Sequence, residues 1–169
     1  TTPKPLLAVR GQPLLQWHVQ ALVAGGFDHL VVNTAWLAEK ISSFLGTYRL
    51  SDGACLLSTP PNAAAPATRF WAQVSDEQAD FGGALETAGG IARALPLLFA
   101  VPGAAIAHTA TASTAHPSIG NPTPAPLANP GQDPVFWVAA GDVFVPGFAF
   151  SQASVARFRA STALAHLWL

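Results

Sequence analysis

Residues 135–142 read VFWVAAGD, an apolar run that follows Pro134 and ends in a glycine and an aspartate. An apolar run of this length between turn-forming residues is typical of a strand that is covered on both faces of a sheet. The pattern therefore predicts a strand over residues 135–140, and its uniform apolar character places it at the centre of the sheet.

Helical and strand-like segments alternate along the rest of the chain. Apolar residues recur at helical spacing over 13–25 and over 36–46, and a short apolar strand, Leu30 to Val32, lies between them. The other predicted elements are strands over 70–74 and 164–169 and helices over 87–95 and 151–160. This alternation predicts an α/β fold, a three-layer α/β/α sandwich around a Rossmann-like, mostly parallel sheet.

The length and composition of the chain indicate how it is organised. With 169 residues, half of them hydrophobic, it can bury one core, which predicts one domain over 1–169. Two segments, 58–68 and 102–134, are rich in alanine, proline and threonine and lack any periodicity, so we predict surface insertions there. The second is long for a connection inside a domain, and we favour a mobile loop over a functional one.

Charge and cysteine content exclude several classes of partner. Only 10% of residues are charged and the net charge is -1, so we expect no nucleic-acid partner. Proline and glycine interrupt every apolar stretch before it reaches the roughly 20 residues of a membrane span. Cys55 is the single cysteine and excludes an internal disulfide, and with no signal-peptide pattern we expect a soluble, cytoplasmic protein.

The first candidate for chemistry is Lys4, which is held between two prolines in the segment TPKPLL at residues 2–7. Proline restricts the backbone on both sides and so limits the reach of the ammonium group, as suits a phosphate-binding lysine. A proline-flanked lysine is also an ordinary solvated surface residue. The segment alone leaves both interpretations open.

The second candidate is the glycine-rich stretch GGALETAGGI at residues 82–91, which leads into a predicted helix. The N–H groups of a first helical turn favour polar or anionic ligands, and glycines let a ligand approach the backbone closely. The alternative is a simple tight turn with Thr87 as the N-cap residue.

The third candidate is the pair Gly141 and Asp142, directly after the predicted central strand. In open α/β sheets ligands bind beyond the carboxyl ends of the strands, and an aspartate there can coordinate Mg²⁺. The alternative is a turn in which the carboxylate accepts hydrogen bonds from nearby N–H groups.

In this order and at these separations, the three motifs resemble those of the sugar-1-phosphate nucleotidyltransferases, or nucleotide-sugar pyrophosphorylases. TPKPLLAVRGQPLLQWHVQAL resembles the segment after the family's glycine-rich loop, ALETAGGIARALPLL its base-binding loop and helix, and VFWVAAGDVF its metal-binding strand. VVNTAWLAEKI, LETAGG and LAHLWL are similar to the bacterial subgroup that uridylylates N-acetylmuramate 1-phosphate. The resemblance implies the nucleotide-diphospho-sugar transferase type of fold.

The resemblance also implies a role for each matching residue. Lys4 would bind phosphate and assist catalysis, and Asp142 would bind Mg²⁺. Asn33, which ends its strand on the ligand side, and Gly141 would contact the sugar. The implied nucleotide-binding residues, besides Lys4, are Glu86, Thr87, Ala88 and Gly89.

Some parts of the family pattern are absent from these 169 residues. The family's opening strand and triphosphate-binding loop would precede Thr1, and its second metal-binding aspartate would follow Leu169. Because the chain also contains no methionine, we expect sequence to be missing at both ends, and we expect this piece alone to be inactive or barely active.

The reaction implied is attack by a sugar 1-phosphate on the α-phosphorus of a nucleoside triphosphate, with release of pyrophosphate. UTP and N-acetylmuramate 1-phosphate are the first expectation, and GTP with mannose 1-phosphate is the alternative pair. A non-catalytic nucleotide-sugar-binding regulatory protein on the same fold is the alternative from another class. The oligomeric state stays open.

Several other residues have weaker indications. His18 is interpreted as a packing or surface histidine. Trp36 could stack on a ring, but helix packing is favoured. Asp76, Glu77 and Asp80 are interpreted as a solvated loop.

Overall fold

The computed structural model describes residues 1–57, 67–99 and 134–167. Its strands are β1 (Ala8–Val9), β2 (Gln12–Pro13), β3 (His29–Thr34), β4 (Cys55–Leu57) and β5 (Thr68–Asp76). Its helices are α1 (Leu14–Ala24), α2 (Ala38–Gly46), α3 (Glu77–Phe81), α4 (Thr87–Leu98) and α5 (Gln152–Arg159), and a 3-10 helix spans Lys4–Leu6.

Three strands form the main sheet in the order β3-β5-β4. β3 and β5 are parallel, with Leu30 opposite Ala72, whereas β4 and β5 are antiparallel, with Cys55 opposite Phe70. The prediction of an α/β fold is confirmed, but the described sheet is mixed, and the expectation of a mostly parallel sheet is not met within it. The three-layer sandwich, the Rossmann-like type and the single domain stay predictions.

The core lies between this sheet and helices α1 and α2. Phe70 is completely buried at its centre, and α2 contributes Ile41 and Leu45, which recur at helical spacing on one face. The buried hydrophobic cluster consists of Leu15, Val19, Val23, Leu30, Ile41, Leu45, Cys55, Phe70 and Ala72. The apolar stripes that predicted the first two helices are therefore the surfaces that cover the sheet.

The predicted helices are confirmed with changed ends. α2 begins at Ala38 and not at residue 36, because Leu37 adopts the left-handed conformation (φ 54°) that a helix cannot include. α4 continues through Pro96 to Leu98, three residues beyond its predicted end at residue 95. A proline there removes one backbone hydrogen bond near the end of the helix, and the roughly two and a half turns upstream remain intact.

The predicted central strand over 135–140 is wrong for this structure. The segment has no ladder partner among the described residues, and a strand is defined by such pairing. Aromatic packing holds it instead, because the Trp137 ring contacts the rings of Phe27 and Phe150 edge-on at centroid distances of 6.2 and 5.2 Å. Residues 135–140 therefore run along the molecule without joining its sheet.

The last predicted strand, 164–169, is also wrong over its described part. Residues 164–167 form no strand, and Leu164 is fully exposed, so nothing covers an apolar face there. Residues 168 and 169 lie outside the described residues, as do 58–66 and 100–133, which contain most of the two predicted insertions. The predicted end of the first insertion is wrong, because Thr68 begins β5. Within the described ranges, no helix combines the length and the apolar character that crossing a membrane requires.

Candidate functional site

A cavity of about 780 Å³ lies between α1, β3, the part of α4 from Gly90 onward and residues 135–142. Its walls are mostly apolar, and the polar side chains that line it include those of Lys4, Asn33 and Asp142. A concave, largely apolar site with a few convergent polar groups is the usual form of a small-molecule site. Three of the residues predicted from different motifs therefore share one cavity.

Lys4 and Asp142 form an ion pair at this cavity. The Lys4 Nζ atom lies 3.7 Å from Asp142 Oδ2, and the two side chains are 79% and 43% exposed. A side chain at Gly141 would come within ordinary contact distance of the Pro5 ring, so the two segments pack directly on each other. The first and third sequence motifs, far apart along the chain, are thus adjacent in the structure.

Helix α1 anchors the segment that follows Asp142. His18, buried within α1, donates from Nε2 to the Val143 carbonyl oxygen at 2.8 Å, and the carbonyl can only accept. The Trp17 ring packs against Phe144 with a centroid distance of 5.6 Å. The interpretation of His18 as a packing histidine is confirmed. Its hydrogen bond to Val143 also holds the neighbouring residue Asp142 in position.

A buried carboxylate connects Asn33 to the glycine-rich loop. Glu77 is only 4% exposed; its Oε1 accepts from Asn33 Nδ2 and its Oε2 accepts from the Leu85 N–H at 2.6 Å. The interpretation of Glu77 as part of a solvated loop is therefore wrong. The register of the parallel pair, which the sequence does not give, brings Glu77 close to Asn33, because Asn33 lies opposite Ser75, two residues before Glu77.

The neighbours of Glu77 have structural roles. Asp76 is the N-cap of α3, and its Oδ1 accepts from the Ala79 N–H at 3.0 Å. Asp80 accepts from Arg93 Nε at 2.8 Å and so joins α3 to α4. These two carboxylates therefore take part in capping and ion pairing, and neither lines the cavity.

The predicted nucleotide-binding residues lie at the N-terminus of α4, beside the cavity. Glu86 is at the N-cap position without a side-chain capping bond, so the alternative of Thr87 as the N-cap is wrong. Glu86, Thr87 and Ala88 are exposed, and they and Gly89 are outside the described lining of the cavity. Gly90, one residue further along, lines it.

Trp36 is the largest exposed aromatic side chain at the cavity. It precedes α2, is 58% exposed and lines the cavity, so the interpretation as a helix-packing residue is wrong. Its indole face is available for stacking on a flat group, since every base has a π-face that an aromatic ring can cover.

Metal ligands and nucleophiles are sparse in the described part of the chain. No group of three or more His, Cys, Asp or Glu side chains that could hold a metal ion occurs there. Asp142 at the cavity is one hard oxygen ligand, and Mg²⁺ in proteins is often bound through one or two carboxylates together with substrate phosphates and waters. Cys55 is buried in the core, and its burial raises the pKa of the thiol, so it is not an activated nucleophile.

Comparison with known proteins supports the class of protein that the motifs indicated. The chain is 43% identical over 98 residues to the N-acetylmuramate alpha-1-phosphate uridylyltransferase of Neisseria meningitidis serogroup B (strain ATCC BAA-335 / MC58). This match covers 58% of the chain and 34% of the relative, so the aligned part spans about a third of the relative's length. No protein-family model matches the chain. The predicted resemblance to sugar-1-phosphate nucleotidyltransferases is confirmed by this similarity.

Proposed function

We propose that the natural protein transfers a nucleoside monophosphate from a nucleoside triphosphate to a sugar 1-phosphate and releases pyrophosphate. The observation that carries the proposal is the meeting of Lys4 and Asp142 at one cavity with Asn33. We propose UTP and N-acetylmuramate 1-phosphate as the substrates, since the relative's name joins uridylyl transfer to that sugar phosphate.

The chemistry needs little from the protein beyond alignment and charge neutralisation. A sugar phosphate is already ionised at neutral pH, so its oxygen can attack the α-phosphorus of the triphosphate without a general base. The Lys4 ammonium would hold a phosphate and offset the negative charge that builds up as two anions approach. Ion pairs as exposed as that of Lys4 contribute little to stability, so Lys4 can leave Asp142 for a phosphate at small cost.

Asp142 would hold Mg²⁺ at the cavity, beside Lys4. When bound, the ion would neutralise phosphate oxygens and help to orient them. Trp36 would offer a stacking face, and the N–H groups of Thr87 to Gly89 at the start of α4 would meet polar groups of the nucleotide, because a first helical turn leaves its donors without intrahelical acceptors. Gly141, packed on Pro5, would leave room for the sugar.

Pyrophosphate release by the natural full-length protein tests the proposal. The protein is incubated with Mg²⁺ and each combination of UTP or GTP with N-acetylmuramate, N-acetylglucosamine or mannose 1-phosphate. We expect release to be fastest with UTP and N-acetylmuramate 1-phosphate. Preference for GTP and mannose 1-phosphate would refute the proposed substrates, and no release with any pair would refute the enzyme and favour a nucleotide-sugar-binding regulator.

The Asp142→Asn substitution tests the metal assignment within the same assay. The amide keeps the shape of the side chain but removes its charge, so we expect a loss of roughly 10²- to 10³-fold in kcat/KM, as for other groups that stabilise transition-state charge. Asp52→Asn is the matched control, because Asp52 is an exposed aspartate paired with Arg69 and does not line the cavity. Near-normal rates for Asp142→Asn would show that this carboxylate does not hold the metal.

A further inference from the structure

The carboxylate of Glu77 is the most deeply buried charged group among the described residues. It lies where the end of β5, the end of β3 and the loop before α4 converge, and each of its oxygens accepts from one N–H donor. A buried carboxylate is stable only when its oxygens are satisfied in this way. Both oxygens are therefore engaged by the structure, and because Glu77 is only 4% exposed we expect it to act on a ligand through its neighbours.

The first of these neighbours is the side chain of Asn33. An ionised carboxylate accepts and cannot donate, so it must face the NH₂ group of the Asn33 amide and not the carbonyl. This settles which way the amide is turned. Because Asn33 is exposed and lines the cavity, its carbonyl oxygen is the part left for a ligand. A carbonyl oxygen attracts a hydroxyl or an N–H group and repels a phosphate oxygen.

The second neighbour is the loop that enters α4. The Leu85 N–H bond to Glu77 fixes the residue immediately before Glu86, the N-cap position of α4. Gly90, one turn into the helix, packs against the same network. A Cβ atom at Gly90 would lie 2.6 Å from Glu77 Oε1 and closer still to Asn33 Nδ2, so only glycine fits there.

From this geometry we infer that Glu77 is a positioning residue. It turns the Asn33 amide so that its carbonyl oxygen accepts from a hydroxyl or amide N–H of the sugar, and it holds the glycine-rich loop at the start of α4 in register with that sugar group. The inference rests on the proposed function for the identity of the ligand. The orientation of Asn33 and the anchoring of Leu85 can be tested without any substrate.

Hydrogen exchange in the natural full-length protein, measured by NMR, provides that test. We expect one Asn33 side-chain NH₂ proton and the Leu85 amide proton to be protected. Glu77→Gln replaces one of the two acceptor oxygens by an NH₂ group, so one partner loses its acceptor and we expect at least one of these protons to exchange about tenfold faster or more. Glu39→Gln, at an exposed position in the first turn of α2, is the matched control and is expected to change neither.

Steady-state kinetics separate positioning from simple destabilisation. We expect Asn33→Ala to raise the KM for the sugar phosphate roughly 10- to 100-fold with a smaller change in kcat. Glu77→Gln should raise the same KM, and adding it to Asn33→Ala should raise that KM little further, because both act through one amide. Asn33→Ala alone should leave the Leu85 amide proton protected from exchange. Because Asn33 is exposed, this variant can still be measured if Glu77→Gln does not fold.

The outcomes are decisive in either direction. Fast exchange of both protons in the unsubstituted protein would overturn the inference. It would also be overturned if the rise in KM of the double variant equalled the product of the rises in the two single variants. If no nucleotide and sugar-phosphate pair is turned over while both protons are protected and Glu77→Gln releases them, the proposed function fails and the positioning role stands.

Discussion

Replacement of Gly25 by alanine should disturb the site from a distance. Gly25 caps the C-terminus of α1, and the backbone of Phe150 lies directly against it. An alanine Cβ at this position would lie 2.9 Å from the Phe150 carbonyl carbon and closer still to the carbonyl oxygen, whereas ordinary contact begins at 3.4 Å. The obstacle is backbone, so it cannot be relieved by turning a side chain.

The size of the effect follows from that distance. Gly25 has φ -79° and ψ 0°, which any residue adopts, so alanine adds no backbone strain of its own. The whole cost comes from moving the Phe150 backbone by about 1 Å or more, because its carbonyl oxygen is the nearest atom, and a typical overpacking cost is about 1–3 kcal/mol. For a chain of this size that corresponds to a fall in Tm of roughly 2–12 °C. The displaced segment leads back to Asp142, so its pairing with Lys4 should weaken as well.

Thermal unfolding followed by circular dichroism measures the change, with Gly46→Ala as the matched control. Gly46 ends α2 and has nothing within 4 Å of an added Cβ, so alanine there should leave Tm unchanged or raise it slightly. If Gly25→Ala unfolds at the same temperature as Gly46→Ala, the close approach of Phe150 to α1 is not present in solution and the reasoning fails.

Three further predictions concern the core and the helix ends. Phe70→Ala removes the largest completely buried side chain and should lower the free energy of unfolding by about 3–5 kcal/mol in urea titrations; a loss below about 1 kcal/mol would contradict the described core. Burial raises the pKa of the Cys55 thiol in the folded protein above its value in the unfolded chain. The protonated thiol therefore contributes its full stability below the pKa of the unfolded chain, and this contribution is lost as pH rises through the pKa of the folded protein. A thiol reagent should therefore label the native protein slowly even as pH passes about 8.5, whereas urea-unfolded protein is labelled readily; equal rates would refute the burial. Ser151→Ala removes the cap that accepts from the Ser154 N–H at 3.1 Å and should cost about 1 kcal/mol, with Ser43→Ala on an exposed turn of α2 as the comparison.

The elements that sequence reasoning identified correctly share one property. Helices α1 and α2 and strand β3 carry patterns that repeat within a few residues, and the core they form uses those same apolar positions. The missed strand β4 is short and exists only through its pairing with β5. The same dependence on a neighbour explains the opposite error at residues 135–140, where an apolar run of the right length has no ladder partner among the described residues.

The candidate site shows the same division. The types and positions of Lys4 and Asp142 suit phosphate and metal, the family resemblance implies a sugar contact for Asn33, and the structure brings all three to one cavity. The predicted loop at Glu86 to Gly89 lies beside that cavity and not in its wall. Glu77 was overlooked because a charged residue in a polar stretch gives no sign of burial, which arises only when Asn33, Leu85 and Gly90 close over it.

The local sequence was sufficient to predict the helices, the strand at Leu30 to Val32 and the residue types of the site. Each of these depends on interactions between residues that are close together in the sequence. The tertiary structure alone decided whether residues 135–140 join the sheet, how Asp142 reaches Lys4, and which carboxylate is buried. These depend on distances between segments that are remote in sequence, and such distances are set by packing against α1, β3 and α4 together.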